Sequence, residues 1–122
     1  MELYHFIWSC VREHSVWICV ALTLIALDIV FGFAGAVKHA SLSSNKMRDG
    51  MWKKVGSIGL LVVSSVIDGA ILGEIDLGFP PSLIAVCAYI SGMEVISIME
   101  NLVLLNPSLA DNPLISKVAS KE

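Results

Sequence analysis

Residues 15–37 read SVWICVALTLIALDIVFGFAGAV, with Asp28 as the sole charge. A helix of about 20 residues crosses a hydrocarbon core of about 30 Å, so this run is long enough to span a bilayer. Two similar runs follow. Residues 55–75, VGSIGLLVVSSVIDGAILGEI, carry Asp68 inside and Glu74 near the end. Residues 82–105, SLIAVCAYISGMEVISIMENLVLL, carry Glu94 and Glu100. Pro80-Pro81 stands ahead of the third run, where proline can begin a helix but not continue one. Asn106-Pro107 closes it.

The whole composition agrees with these runs. Of 122 residues, 56% are hydrophobic and 16% charged, and mean hydropathy is +0.78. Soluble domains hold about 45–50% apolar and about 25% charged residues, and a chain this short has too little interior to hide the excess. The expected fold is an all-α integral membrane protein: three transmembrane helices preceded by an amphipathic amino-terminal helix. It reads as a single membrane domain over 1–122. Its parts are an amphipathic segment at 1–14, span 1 at 15–37, a basic loop at 38–54, span 2 at 55–75, span 3 at 82–105 and a tail at 106–122.

The flanks set an orientation. Lys38, Lys46, Arg48, Lys53 and Lys54 in 38–54 face one acid, Asp49, whereas the second connector holds Glu74 and Asp76 and no base. Cytoplasmic loops carry the excess of Lys and Arg. The amino terminus is therefore expected outside and the carboxyl terminus, with Lys117 and Lys121, in the cytoplasm of a bacterial inner membrane. Anionic lipid headgroups are a secondary role for the same bases. In 1–14, Leu3, Phe6, Ile7, Cys10 and Val11 recur at helical spacing with Glu2, His5, Ser9, Arg12 and Glu13 between them. That pattern is amphipathic. It suits a helix lying in the interface, with Trp8 and Trp17 as anchors, or an outward extension of span 1. The same residues lack the basic start and short apolar core of a cleavable signal peptide.

The acids inside the spans are the informative residues. A charge at mid-membrane costs about 2.5–3.5 kcal/mol on insertion scales. Asp28, Asp68 and Glu94 are each near the middle of a run and are expected in one layer, with no Lys or Arg inside any run to pair with them. Left in lipid, the three would cost about 8–10 kcal/mol together. Protonation, hydrogen bonding between helices or contact with water offsets this, and the last two require assembly. Small and polar residues share their faces: Ala21, Asp28, Gly32 and Gly35 on the first span; Ser57, Ser64 and Asp68 on the second, beside Ser65, Gly69 and Gly73; Cys87, Glu94, Ser97 and Asn101 on the third. Gly69 and Gly73 form a small-xxx-small pair suited to close backbone approach. The plainer readings are a chance glycine spacing and acids that serve only as structural hydrogen-bond partners. Glu100, on another face, reads as an ion-pair partner for Lys53 or Lys54.

Enzymatic signals are missing. His5, His14 and His39 lack ligand spacing, and Cys10, Cys19 and Cys87 read as small buried hydrophobes. There is no phosphate loop and no nucleophile with a base and an orienting acid. The bases are too few and too confined for nucleic acid. No cofactor is expected.

The stretch ALDIVFGFAGAVKHASLSSNKMRDGMWKKV resembles the phage holin family that includes the clostridial toxin-secretion holins. The shared features are Asp28 with Gly32 four residues on, the base Lys38, the Leu42-Ser43-Ser44 step, and Gly50 before Lys53-Lys54. Asp68 in the second span, Glu94 in the third, and Ile98-Met99-Glu100-Asn101 complete the ordered set, which covers about residues 20–105. The tail NPSLADNPLISK is shorter and less charged than is usual there. The resemblance implies a non-catalytic protein that accumulates in the cytoplasmic membrane, forms homo-oligomers and opens holes. These release an endolysin, which needs no direct contact with it, or a toxin, and permit lysis. Asp28, Ser64, Asp68, Glu94, Ser97 and Asn101 are the expected pore-lining or inter-helix polar residues, and Gly32, Gly35, Gly69 and Gly73 the packing residues. The rivals are a small proton- or cation-coupled transporter, against which no inverted repeat stands, and a regulatory antiholin.

Overall fold

A computed structural model of the protein describes residues 2–40, 43–75 and 77–119, so Leu42, Asp76 and Lys121 lie outside the described residues. The described chain is helical almost throughout. Its elements are α1 (Glu2–Glu13), α2 (Ser15–Lys38), α3 (Ser44–Glu74) and α4 (Pro81–Leu105), then a 3₁₀ turn at Pro107–Asp111 and α5 (Pro113–Ala119). Three of them, α2, α3 and α4, are long and apolar enough to cross a membrane.

Helices α2 and α4 form the most extensive pair. The buried positions of α2 are Ala21, Ile25, Asp28 and Gly35; those of α4 are Leu83, Cys87, Ile90, Glu94 and Ile98. Steps of three, four and seven on α2 and of three and four on α4 keep one seam of each helix facing its partner. Small residues on the α2 side let the backbones approach without help from a hydrophobic driving force. The two helices run the same way, and their carboxyl ends lie level. Lys38 Nζ donates to the Leu105 carbonyl at 2.5 Å and His39 Nε2 to the Leu104 carbonyl at 3.0 Å. Those carbonyls are orphans of a helix end, which cationic side chains satisfy well.

Helix α3 returns the chain between them and departs from expectation at its start. Residues 44–54, read from sequence as loop, are its first three turns. Ser43 opens the helix, its hydroxyl accepting from the Lys46 N–H at 3.5 Å. Asn45 to Lys54 hold only Gly50 as a strong helix opponent. The charge of this segment marks where hydropathy falls, and the helix does not end there. Helix α2 ends at Lys38 and α3 already begins at Ser44, with Ala40 at φ 50°. The backbone of α3 lies against α1 and α4 more than against α2.

Helix α1 is not a straight extension of α2. The helix breaks at His14 (φ −113°, ψ 26°), and α1 folds onto the far end of α3. A Cβ at Gly69 would collide with Ile7 Cγ1 and meet the Ile7 backbone nitrogen at 3.2 Å; one at Gly73 would meet the Phe6 ring at 3.2 Å. In the protomer this glycine pair is thus the seat of α1. Gly32 faces Asn101, and Gly35, though buried, has open space at its Cβ position.

Little of the apolar surface is consumed inside the protomer. Buried residues make up 17%, 28% and 28% of the apolar stretches of α2, α3 and α4, which leaves Val16, Val30, Phe33, Val62 and Tyr89 among the exposed side chains.

Seating α1 on two glycines has a testable cost. Gly69→Leu should overpack the contact by about 1–3 kcal/mol and speed tryptic cleavage after Arg12 in detergent micelles. Gly73→Ala, which meets only a movable ring, should change that rate little. Equal cleavage in the parent and Gly69→Leu would show that α1 does not depend on this contact.

Candidate functional site

Two polar centres lie inside the bundle, and α3 supplies a residue to each. The first forms because the α2–α3 hairpin has equal arms. Ten residues separate Asp28 from Lys38, and ten separate Ser44 from Lys54, so the hairpin sets position 54 opposite position 28. The Lys54 ammonium donates to Asp28 Oδ2 at 2.5 Å and to Glu94 Oε2 at 2.6 Å. Asn101 Nδ2 completes the cluster by donating to Asp28 Oδ1 at 2.8 Å. Asp28 and Glu94 are 8% and 6% exposed.

The expectation that no base reaches the acids is corrected by this geometry. Lys54 was assigned to a loop because of its charge, yet it is the cation that Asp28 and Glu94 share. The lysine stem can lie along apolar surface while its head finds the carboxylates. Glu100 is half-buried. Ser97 is half-buried on the same helix.

The second centre is Asp68, which is fully buried. Its carboxylate accepts from the Ser82 N–H at 3.0 Å and the Leu83 N–H at 2.6 Å. Pro80 and Pro81 have no N–H, so these are the first donors of α4 that need a partner. Asp68 caps α4 from a neighbouring helix and places negative charge at the positive end of its dipole. The fourteen residues from Lys54 to Asp68 rise about 21 Å along α3. The expected single layer of three acids is therefore two layers, Asp28 with Glu94 and, far from them, Asp68. Ser64 and Ser65 are buried but bond back to the Leu61 carbonyl at 2.9 and 2.8 Å, which spends their hydroxyls within their own helix.

Cys10 of α1 packs in the apolar cluster near this centre. Burial pushes its thiol pKa up, and the nearby carboxylates of Asp68 and then Glu13 add to the shift. It is thus an inert packing group at neutral pH. Among the described residues no group of His, Cys, Asp and Glu could hold a metal ion. Lys46, Arg48 and Lys53 point outward from the first turns of α3, and Arg48 Nη2 donates to Asn45 Oδ1 at 3.0 Å.

Sequence reasoning found Asp28, Asp68, Glu94 and Asn101 but missed Lys54 as the partner of Asp28 and Glu94, and missed Lys38 and His39 as caps of α4. The signal for Lys54 was the equal arm length about a turn. It becomes visible only once 44–54 is read as helix.

Residues 5–115 match the model of a family described as the bacteriophage holin family. No curated protein matches the chain, and neither does any solved structure.

Removing one member of a buried charge cluster leaves the others uncompensated, at about 3–5 kcal/mol. Lys54→Met should therefore lower the thermal stability of the purified protein in micelles, and adding Asp28→Asn and Glu94→Gln should restore most of the loss. A triple variant no more stable than Lys54→Met would show that the cluster is not held by charge. At the other centre, Asp68→Ala should cost about 1–3 kcal/mol by orphaning two buried N–H groups. Asp68→Asn, which keeps one acceptor oxygen, should lose less, and hydrogen exchange at Ser82 and Leu83 would report the difference.

Proposed function

Because the chain belongs to the bacteriophage holin family, we propose that it self-associates in the cytoplasmic membrane of a bacterial host and opens holes that release an endolysin or a toxin. The family match over residues 5–115 carries this reading. The bundle supplies a physical route. In a dispersed protomer the exposed faces of α2, of α4 and of α3 beyond Val55 are largely apolar and suit lipid, while Lys54, Asp28, Glu94 and Asn101 satisfy one another inside. Asp28 and Glu94 are thus paired within one protomer, unlike the unpaired acids expected from the sequence, and do not by themselves drive assembly. Assembly becomes favourable when exposed small and apolar faces meet, and a hole forms when the remaining polar surface of several protomers gathers around water.

In this reading the loop between α2 and α3 is cytoplasmic, as the bases at 38–54 indicate, with the amino terminus outside and the carboxyl terminus inside. Helix α1 is an amphipathic interfacial helix on the outer side. Its exposed Leu3, Tyr4 and Trp8 suit that depth. The protein needs partners only in itself and in lipid; the endolysin passes through without docking.

Inducible expression beside a cytoplasmic muralytic enzyme tests the reading. A delay followed by abrupt lysis is expected, with the enzyme appearing outside the cell. Lys54→Met, which breaks the internal cluster, should shift the lysis time from the parental value. Gradual loss of ions with the enzyme retained inside would favour a small carrier, and no effect on growth would favour a regulator.

A further inference from the structure

The apolar stretches of the three long helices are out of step. Taking the Lys54 layer as zero, at 1.5 Å per residue, α2 is apolar from about 14 Å below (Val37) to about 18 Å above (Val16). Helix α4 covers nearly the same depth, from Leu105 to Leu83. The apolar part of α3 starts only at Val55, directly above Lys54, and reaches Ile75 about 31 Å above. Two contacts fix this stagger independently: the Lys54 bridges to Asp28 and Glu94, and the Asp68 cap on Ser82 and Leu83.

The consequence falls on residues 44–54. Any hydrocarbon layer that covers α2 and α4 also contains the depth at which Lys46, Arg48, Asp49 and Lys53 stand exposed on α3. At that same depth α2 exposes Val30 and Phe33, 60% and 49% accessible, and α4 exposes Leu104. Lipid suits those residues and not the bases, each of which costs about 2.5–3.5 kcal/mol at the centre of the membrane. Lys53 lies next to the Lys54 layer and well above Lys38, farther from the headgroups than a four-carbon stem can snorkel. Water is the solvent that fits this stripe.

Resting on the holin reading above, we propose that the charged first turns of α3, residues 44–54, line the water-filled lesion, with Lys46, Asp49 and Lys53, which share one helical face, toward water and Val30 and Phe33 of α2 toward lipid. The residues expected from sequence to line it, Asp28 and Glu94, instead tie this segment to the bundle through Lys54. The lining assignment moves from the buried acids to the exposed bases of α3.

Site-directed thiol labelling tests the assignment. Lys46→Cys, Lys53→Cys and Val30→Cys, each added to the parent chain, are reconstituted in phosphatidylcholine vesicles loaded with labelled dextran. They are treated with a membrane-impermeant maleimide, and the parent's labelling serves as baseline. Thiolate forms and reacts only where water reaches it, so Lys46→Cys and Lys53→Cys should label at least about tenfold faster than Val30→Cys. Dextran release by the parent reports hole formation separately, so its absence would sink the holin reading whatever the labelling. Release with Lys53→Cys no faster than Val30→Cys would overturn the lining assignment. Labelling that disappears when phosphatidylglycerol is added, while release continues, would overturn it in favour of lipid headgroups covering the stripe.

Discussion

The bundle depends on one cation held between two carboxylates. Without Lys54, Asp28 and Glu94 would face each other at low dielectric, where like charges repel strongly; with it, both find a partner at 2.5–2.6 Å. The interaction joins three helices that otherwise meet unevenly, since α3 lies against α4 and α1 more than α2. It also fixes depth. A helix that can slide along an apolar neighbour at little cost is pinned once a single ammonium must reach two fixed acids.

Helix α4 shows the same logic at its ends. Its amino-terminal N–H groups are bound by Asp68 of α3, and its final carbonyls by Lys38 and His39 at the end of α2. Asp68 and Lys38 each have the sign that the helix dipole favours at their end. In a soluble protein, water would serve these groups. Near hydrocarbon they must be served by protein, so the neighbours that cap α4 also determine where it sits.

The three long helices were legible because lipid imposes a simple length and polarity requirement, and residues 15–37, 55–75 and 82–105 meet it openly. Among the residues that carried the family resemblance, Asp28, Lys54, Asp68, Glu94 and Asn101 occupy the two polar centres. Partnership was harder to read. Lys54 looks like the end of a loop in hydropathy, because a sliding average cannot distinguish a charged helix from a charged turn. The helix preference of residues 45–54 was available but was outweighed by their charge. Asp68 was misplaced for a related reason: mid-run position does not give depth when α3 starts eleven residues earlier than its apolar part. Gly69 and Gly73 were recognised as a close-approach pair, but nothing in their spacing named α1 as the element that rests on them.

The equal arms of the α2–α3 hairpin have a consequence for how such a chain can vary in length. An extra residue in the turn at 39–43 can bulge outward and leave both arms unchanged. The same insertion between Ser44 and Lys54 would rotate the ammonium by about 100° and raise it by about 1.5 Å, swinging it off both acids. Natural insertions and deletions should therefore gather in the turn and spare the ten residues on either side, a constraint on spacing that the identities of those residues would not reveal.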